Sequence, residues 1–115
     1  MSIQRYCLAL DLKNDPVLIE KYKAYHAQGG VWPEILESIK SAGITDMQIF
    51  CTGNRLFMIM EVSASFDSTQ KAKADAENPK VQEWETLMDQ FQLPLPWAKE
   101  GQKWVPMDQI FGLKN

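Results

Sequence analysis

The stretch Arg55–Val62 restricts the possible folds more than any other part of the sequence. Alternate positions along it form two faces, and both faces are largely apolar, which is typical of a strand inside a sheet. Gly53 and Asn54 come just before it and predict a tight hairpin turn back to a strand over residues 46–52. We therefore expect an antiparallel hairpin with Arg55–Val62 as a central strand. Glu61, set among hydrophobic residues, needs a polar partner there.

The other predicted elements alternate around this hairpin. Asp15 can cap a helix that begins at Pro16, and Pro106 places a last strand at a sheet edge. The predicted strands cover residues 3–12, 46–52, 55–62 and 104–111. The predicted helical regions run from Pro16 to the break at Gly29 and Gly30, from Pro33 to the stop at Gly43, and over residues 65–91 with a break at Asn78 and Pro79. The order β-α-β-β-α-β predicts one domain over residues 1–115. Its fold class is α+β, a ferredoxin-like sandwich of the dimeric α/β barrel type.

This arrangement leaves one face of the predicted sheet without helices. Ala9, Phe57 and Ile59 make that face apolar. Large exposed apolar patches mark contacts with other molecules, so a second subunit or a ligand should cover it. We therefore predict a homodimer that packs sheet to sheet.

Charge and hydropathy exclude several classes of partner. The net charge is −3, the charged residues are mixed in sign, and no basic stripe indicates a nucleic-acid binder. The longest apolar runs have the length of strands, so no membrane span or secretory signal is expected. Cys7 and Cys51 are interpreted as two buried small hydrophobic residues rather than a disulfide, which favours a cytoplasmic protein.

Most residues that could take part in catalysis or ligand binding lie between Tyr22 and Ile35. The only histidine, His26, lies four positions after Tyr22, so a helix would place both rings on one face. Gly29 and Gly30 then end the helix, although glycine is unfavourable in a helix and must be there for another reason. Trp32 comes just before the next predicted helix. One histidine and two scattered cysteines do not form a metal site, and no phosphate or dinucleotide motif is present. We expect neither a metal nor a cofactor.

These residue types together favour a neutral polyol as ligand. Imidazole has a reference pKa of about 6.5 and exchanges protons near neutrality, while a tyrosine hydroxyl can bind a sugar hydroxyl. Indole faces pack against the C–H faces of sugars, and no cluster of Arg or Lys lies beside His26. From the residues alone, two other interpretations stay open. His26 could simply pack at a helix end, and Trp84 at helical spacing could be core. Glu85 and Asp89 are expected to be solvated helix surface.

In the order and spacing of its motifs, the sequence resembles the L-rhamnose mutarotase family along nearly the whole chain. No single motif is specific, but their combination is. The motifs are Tyr22-x-x-x-His26, Trp32-Pro33-Glu34, the Gly43 turn, Asn54-x-Leu56-Phe57 with Glu61, Gln82-x-Trp84 and Gln109-x-Phe111.

The resemblance implies a ferredoxin-like homodimer that interconverts the α and β anomers of a free 6-deoxy-L-hexose without a cofactor. It implies His26 as proton donor, Tyr22 as a sugar-binding residue and Trp84 as part of the pocket. Trp32, Met47 and Glu61 complete the candidate substrate contacts, and Glu61 or a water could finish the proton relay.

The chain departs from the L-rhamnose enzymes in its substrate contacts. Met47 stands where they carry a second binding tyrosine, Trp84-Glu85 replaces paired tryptophans, and the spacer after His26 is longer. The Gly-Ile-x-x-Met and Asn-Arg-x-Phe-Met segments look closer to L-fucose relatives, so L-fucose is placed ahead of L-rhamnose. The alternatives are a cofactor-free monooxygenase or lactone isomerase of the same architecture, and a non-catalytic small-molecule-binding module.

Overall fold

The structure, a computed structural model, describes residues 4–114 as an antiparallel sheet with helices on one face. The helices are α1 (Pro16–His26), α2 (Pro33–Ser41), α3 (Ser68–Ala76) and α4 (Pro79–Asp89). The strands are β1 (Gln4–Leu12), β2 (Ile44–Thr52), β3 (Arg55–Val62), β4 (Gln92–Leu93) and β5 (Val105–Pro106). Ile3, the predicted start of the first strand, lies outside the described residues. No described helix is both long and apolar enough to cross a membrane.

Local sequence sets where the helices begin. The carboxylate of Asp15 accepts hydrogen bonds from the amides of Val17 and Leu18 and so caps α1. Asp67 caps α3 and Asn78 caps α4 in the same way. Pro occupies the start of α1, α2 and α4, where a missing amide proton has no consequence.

The strand order confirms the ferredoxin-like α+β fold. The order is β2-β3-β1-β4, with antiparallel pairing throughout, and β5 also pairs with β1. β3 lies between β1 and β2, so the prediction of a central strand with two apolar faces is confirmed.

The predicted final strand over residues 104–111 is wrong in extent. Only Val105 and Pro106 pair, opposite Ala9 and Leu8, while Gln92–Leu93 provides the fourth strand beside the end of β1. The chain returns to the sheet directly after α4, so part of the β1 edge is occupied before residue 104 is reached. The Met107 amide donates a hydrogen bond to the Cys7 carbonyl oxygen. Beyond Met107 the chain leaves the sheet, and Ile110 is 96% exposed.

The hydrophobic core lies between the sheet and the helices. Leu10 and Leu12 of β1 are fully buried, and Leu56 of β3 is nearly so. The helices contribute Ile35, Val81, Trp84 and Met88. Alternation along β1 and β3 therefore directs one set of side chains to the helices and the other set to the open face.

The open face carries an apolar centre with an ion pair at each end. Ala9 lies opposite Phe57 and Cys7 opposite Ile59 at the centre. The flanking pairs are Arg5–Glu61 at 3.0 Å and Arg55–Asp11 at 2.7 Å.

Both cysteines are free thiols in the structure. Their predicted burial is wrong, because Cys7 is half-buried and Cys51 is exposed. Cys7 lies on the open face, and Cys51 lies near the hairpin end of β2, where its Sγ contacts the Gly53 carbonyl at 3.4 Å.

Candidate active site

The C-terminal half of α1 presents two rings to a large cavity. The rings of Tyr22 and His26 stack with their centroids 4.3 Å apart, as expected for residues one helical turn apart. Both side chains line a cavity of about 670 Å³ between the helices and the sheet. That volume is within the range of small-molecule sites and exceeds what a monosaccharide needs.

The backbone fixes the tautomer of His26. Its Nδ1 lies 2.8 Å from the carbonyl oxygen of Tyr22. A carbonyl only accepts hydrogen bonds, so Nδ1 carries the proton, and in the neutral ring Nε2 is left with its lone pair. Burial lowers the pKa of His26, and the bond to the Tyr22 carbonyl opposes that effect in part. Near neutrality the ring is therefore uncharged, and Nε2 can accept a proton.

Gln92 holds the Tyr22 hydroxyl from the other side. Its Nε2 donates to the Tyr22 hydroxyl oxygen at 3.3 Å, which leaves the hydroxyl proton available for a ligand. Burial is the main cause that raises the pKa of Tyr22, so the phenol stays protonated. Gln92 was not among the predicted site residues. The signal that could have indicated it is a glutamine within the otherwise apolar run 91–95.

The glycine pair after α1 now has a structural reason. Gly29 has φ of +83°, which residues with a side chain rarely adopt. A Cβ on Gly30 would lie 2.6 Å from the Tyr25 carbonyl oxygen, so only glycine fits against the end of α1. The two glycines let the chain fold back tightly after His26, and Trp32 then packs against Trp84.

Trp84 is both core and cavity wall. It is 8% exposed and lines the cavity, and its ring edge meets His26 with centroids 5.7 Å apart. Trp32 does not line the cavity. It packs behind Trp84 at 5.1 Å and has the Lys80 ammonium 5.9 Å from its ring. Trp104, which was not a predicted site residue, supplies another indole on the cavity wall.

Met47 reaches the cavity and Glu61 does not. Met47 points to the helix side of β2, opposite Met60, and both line the cavity. Glu61 belongs to the other face of β3, where it pairs with Arg5. Its predicted need for a polar partner is met there. Because side chains alternate along a strand, a residue adjacent to Met60 cannot share its face.

Asp89 is exposed, as the sequence suggested, whereas Glu85 is half-buried, and the two carboxylates share one cation. The Lys103 ammonium lies 2.7 Å from Glu85 Oε2 and 2.5 Å from Asp89 Oδ1. Glu85 also lines the cavity. A carboxylate therefore stands at the wall beside Trp84. Across residues 4–114, no group of three His, Cys, Asp or Glu side chains is placed to hold a metal ion.

Comparison with known proteins agrees with this geometry. Residues 5–113 match the sequence model of L-rhamnose mutarotase. The chain belongs to the L-rhamnose mutarotase family. It is therefore an isomerase of the sugar mutarotase type, which favours mutarotation over the monooxygenase and non-catalytic alternatives.

Individual relatives agree with the family assignment. An L-fucose mutarotase from Xanthomonas campestris pv. campestris is 44% identical over 115 residues, which cover 100% of this chain and 92% of that protein. A UPF0734 protein from Dictyostelium discoideum is 43% identical, with 94% of this chain and 88% of that protein covered. The crystal structure of an L-rhamnose mutarotase from Formosa agariphila superposes with a TM-score of 0.70 at 24% identity, covering 96% of this chain and 99% of that one. At that identity the superposition supports the fold alone.

Proposed function

We propose that this protein interconverts the α and β anomers of a free 6-deoxy-L-hexose, with L-fucose preferred over L-rhamnose. The observation that carries the proposal is an uncharged His26 with Nε2 available, stacked on a protonated Tyr22 in a cavity walled by indoles. The 44% identity to a protein described as an L-fucose mutarotase favours L-fucose.

The proposed reaction needs one proton to leave the anomeric hydroxyl and one to reach the ring oxygen. His26 Nε2 accepts the proton of the anomeric hydroxyl while the bond from C1 to the ring oxygen breaks. The imidazolium then donates that proton to the ring oxygen, and the open-chain aldehyde forms. Both oxygens are bonded to C1, so one nitrogen can reach both. Closure on the other face of the aldehyde runs these steps in reverse.

Tyr22 and Trp84 hold the sugar in this proposal. The Tyr22 hydroxyl donates to a sugar oxygen, since Gln92 already donates to it. The Trp84 indole and the Met47 side chain pack against C–H faces of the ring. Glu61 has no part, because it lies on the other side of the sheet, and Trp32 supports Trp84 from behind. General acid–base help of this kind typically contributes about 10² to 10⁴ in rate.

NMR saturation transfer between anomers tests the proposal directly. Added wild-type protein should speed exchange in L-fucose more than in L-rhamnose. His26→Gln should abolish the effect while circular dichroism shows an intact fold. Exchange that is unchanged by wild-type protein in both sugars would refute the proposed function, and exchange that survives in His26→Gln would remove His26 from it.

We also propose that the protein is a cytoplasmic homodimer. The apolar centre of the open sheet face, with Phe50 52% exposed beside Phe57, supports a second copy as its cover. Light scattering at micromolar concentration should give twice the chain mass, and Phe50→Lys should lower it towards the monomer. A monomer at all concentrations in the wild type would contradict the dimer.

A further inference from the structure

Glu85 occupies an unusual place for a charged residue on α4. It follows Trp84 directly and shares the cavity wall with it and with Tyr22. Its side chain is 47% exposed, so it is not sealed inside the protein. Its charge also acts on the site, because it adds to the rise in the pKa of Tyr22 that burial mainly causes. Glu85 is therefore close enough to influence anything bound between it and that phenol.

The carboxylate of Glu85 is held in one orientation. Lys103 contacts Glu85 Oε2 at 2.7 Å and Asp89 Oδ1 at 2.5 Å, and it also reaches the Glu85 backbone oxygen at 3.5 Å. The two carboxylates are one helical turn apart, so the ammonium between them prevents Glu85 from swinging away. Within residues 4–114, Oε1 of Glu85 accepts no hydrogen bond, and that oxygen is left for a ligand.

The same lysine connects the site to the C-terminal part of the chain. Lys103 directly precedes Trp104, which lines the cavity and packs against the core. The ion pairs of Lys103 therefore fix the Glu85 carboxylate and also anchor the chain next to Trp104. Of the two acidic partners of Lys103, Glu85 lines the cavity and Asp89 does not.

We propose that Glu85 binds a ring hydroxyl of the sugar away from the anomeric carbon and sets substrate preference, with Lys103 as its positioning residue. This inference rests on the proposed function. An ionised carboxylate only accepts hydrogen bonds, so it selects a hydroxyl donor and repels anionic sugars such as uronates and sugar phosphates. The substrate class is therefore a neutral free sugar.

Glu85→Gln tests the role with little change in shape. Hydrogen bonds to charged groups are stronger than neutral ones, so KM for L-fucose should rise about ten- to a hundredfold while kcat changes less than about threefold. Glu83→Gln is the matched control, because Glu83 lies on the same helix, pairs with Lys80 at 3.2 Å and does not line the cavity. Its KM should equal that of the wild type.

Lys103→Met separates positioning from simple stabilisation. It should raise KM as Glu85→Gln does, and the double variant should be no worse than Glu85→Gln alone, because Lys103 acts through Glu85. Lys103→Arg keeps the positive charge, so it should raise KM less than Lys103→Met does. An unchanged KM in Glu85→Gln, or additive effects in the double variant, would overturn the inference. Wild-type protein without anomer exchange would instead refute the proposed function itself.

Discussion

Replacing Gln92 with methionine should make the protein more stable and less active. Less than 1 Å² of its Oε1 is accessible, and no group within residues 4–114 donates a hydrogen bond to it. A buried polar atom without a partner costs about 1–3 kcal/mol. Turning the amide over would leave the nitrogen closed off instead, so the cost does not depend on its orientation.

The stability lost with the hydrogen bond from Gln92 to Tyr22 is smaller than this cost. The bond from Gln92 Nε2 to the Tyr22 hydroxyl is 3.3 Å long, at the weak end of the range, and a neutral hydrogen bond contributes about 0.5–1.5 kcal/mol. Methionine is similar in length to glutamine and flexible, so it can fill the same space. The net effect on the free energy of unfolding should be a gain of about 0–2 kcal/mol. Activity should fall, because the Tyr22 hydroxyl is no longer oriented.

Urea denaturation measures the first effect and anomer exchange the second. The urea midpoint of Gln92→Met should rise with an unchanged slope, because a changed slope would indicate an altered unfolded state. Gln90→Met is the control. Gln90 is exposed at the end of α4, so the change should stay within about 0.5 kcal/mol. A loss of more than about 1 kcal/mol in Gln92→Met would show that Oε1 does have a partner, and the reasoning would be wrong.

Three further predictions concern the end of α1. Because the pKa of His26 is lowered, kcat/KM should hold steady at neutral pH and fall only as pH drops through a value below about 6.5. A rate that stays flat over the whole acidic range in which the protein remains folded would contradict a base role. His26 binds a proton more readily in the unfolded chain than in the folded protein. The free energy of unfolding should therefore be highest above about pH 6.5 and decrease as the pH falls towards the folded pKa of His26. In urea titrations, His26→Gln should remove this pH dependence. Gly30→Ala should destabilise by about 1–3 kcal/mol, because its Cβ would clash with the Tyr25 carbonyl oxygen. Gly29→Ala should lose about 1–2 kcal/mol from its positive φ alone, without a clash. A Gly30→Ala variant as stable as the wild type in urea denaturation would refute the clash.

Local patterns were sufficient for most of the fold. Asp15 before Pro16 predicted the start of α1, because a cap and a first-turn proline act within a few residues. The two apolar faces of Arg55–Val62 predicted its central position, since both faces of an inner strand are shielded. The last strand failed for the opposite reason. Its pairing depended on how much of the β1 edge Gln92–Leu93 already occupied, which no local pattern records.

The same distinction divides the candidate site. Tyr22 and His26 could be paired from sequence, because four positions in a helix make one face. Gln92 could not, since it bonds Tyr22 across 70 positions of the chain. Lys103 reaches Glu85 across 18 positions from a loop without regular structure. Only the folded chain brings these pairs together.

Glu61 differs, because the sequence itself held the information that removes it from the site. It alternates with Met60, and the cavity proved to lie on the Met60 side of β3. The carboxylate of Glu61 suggested a substrate contact, but its position on the strand places it on the opposite face. A candidate residue on a strand should first be assigned to a face, and only then to a role.

The positions that break local rules lie around His26. Gly29 and Gly30 interrupt a helical region shortly after it. Within the described part of the chain, the amide oxygen of Gln92 beside Tyr22 has no hydrogen-bond partner. Elsewhere the helix caps and the alternation along the strands agree with the fold, so these exceptions are confined to the surroundings of His26. Natural sequences depart from local consistency mainly where function requires it. If that holds here, stabilising substitutions at Gln92 should lower activity, whereas stabilising substitutions at the exposed Gln90 should leave it unchanged.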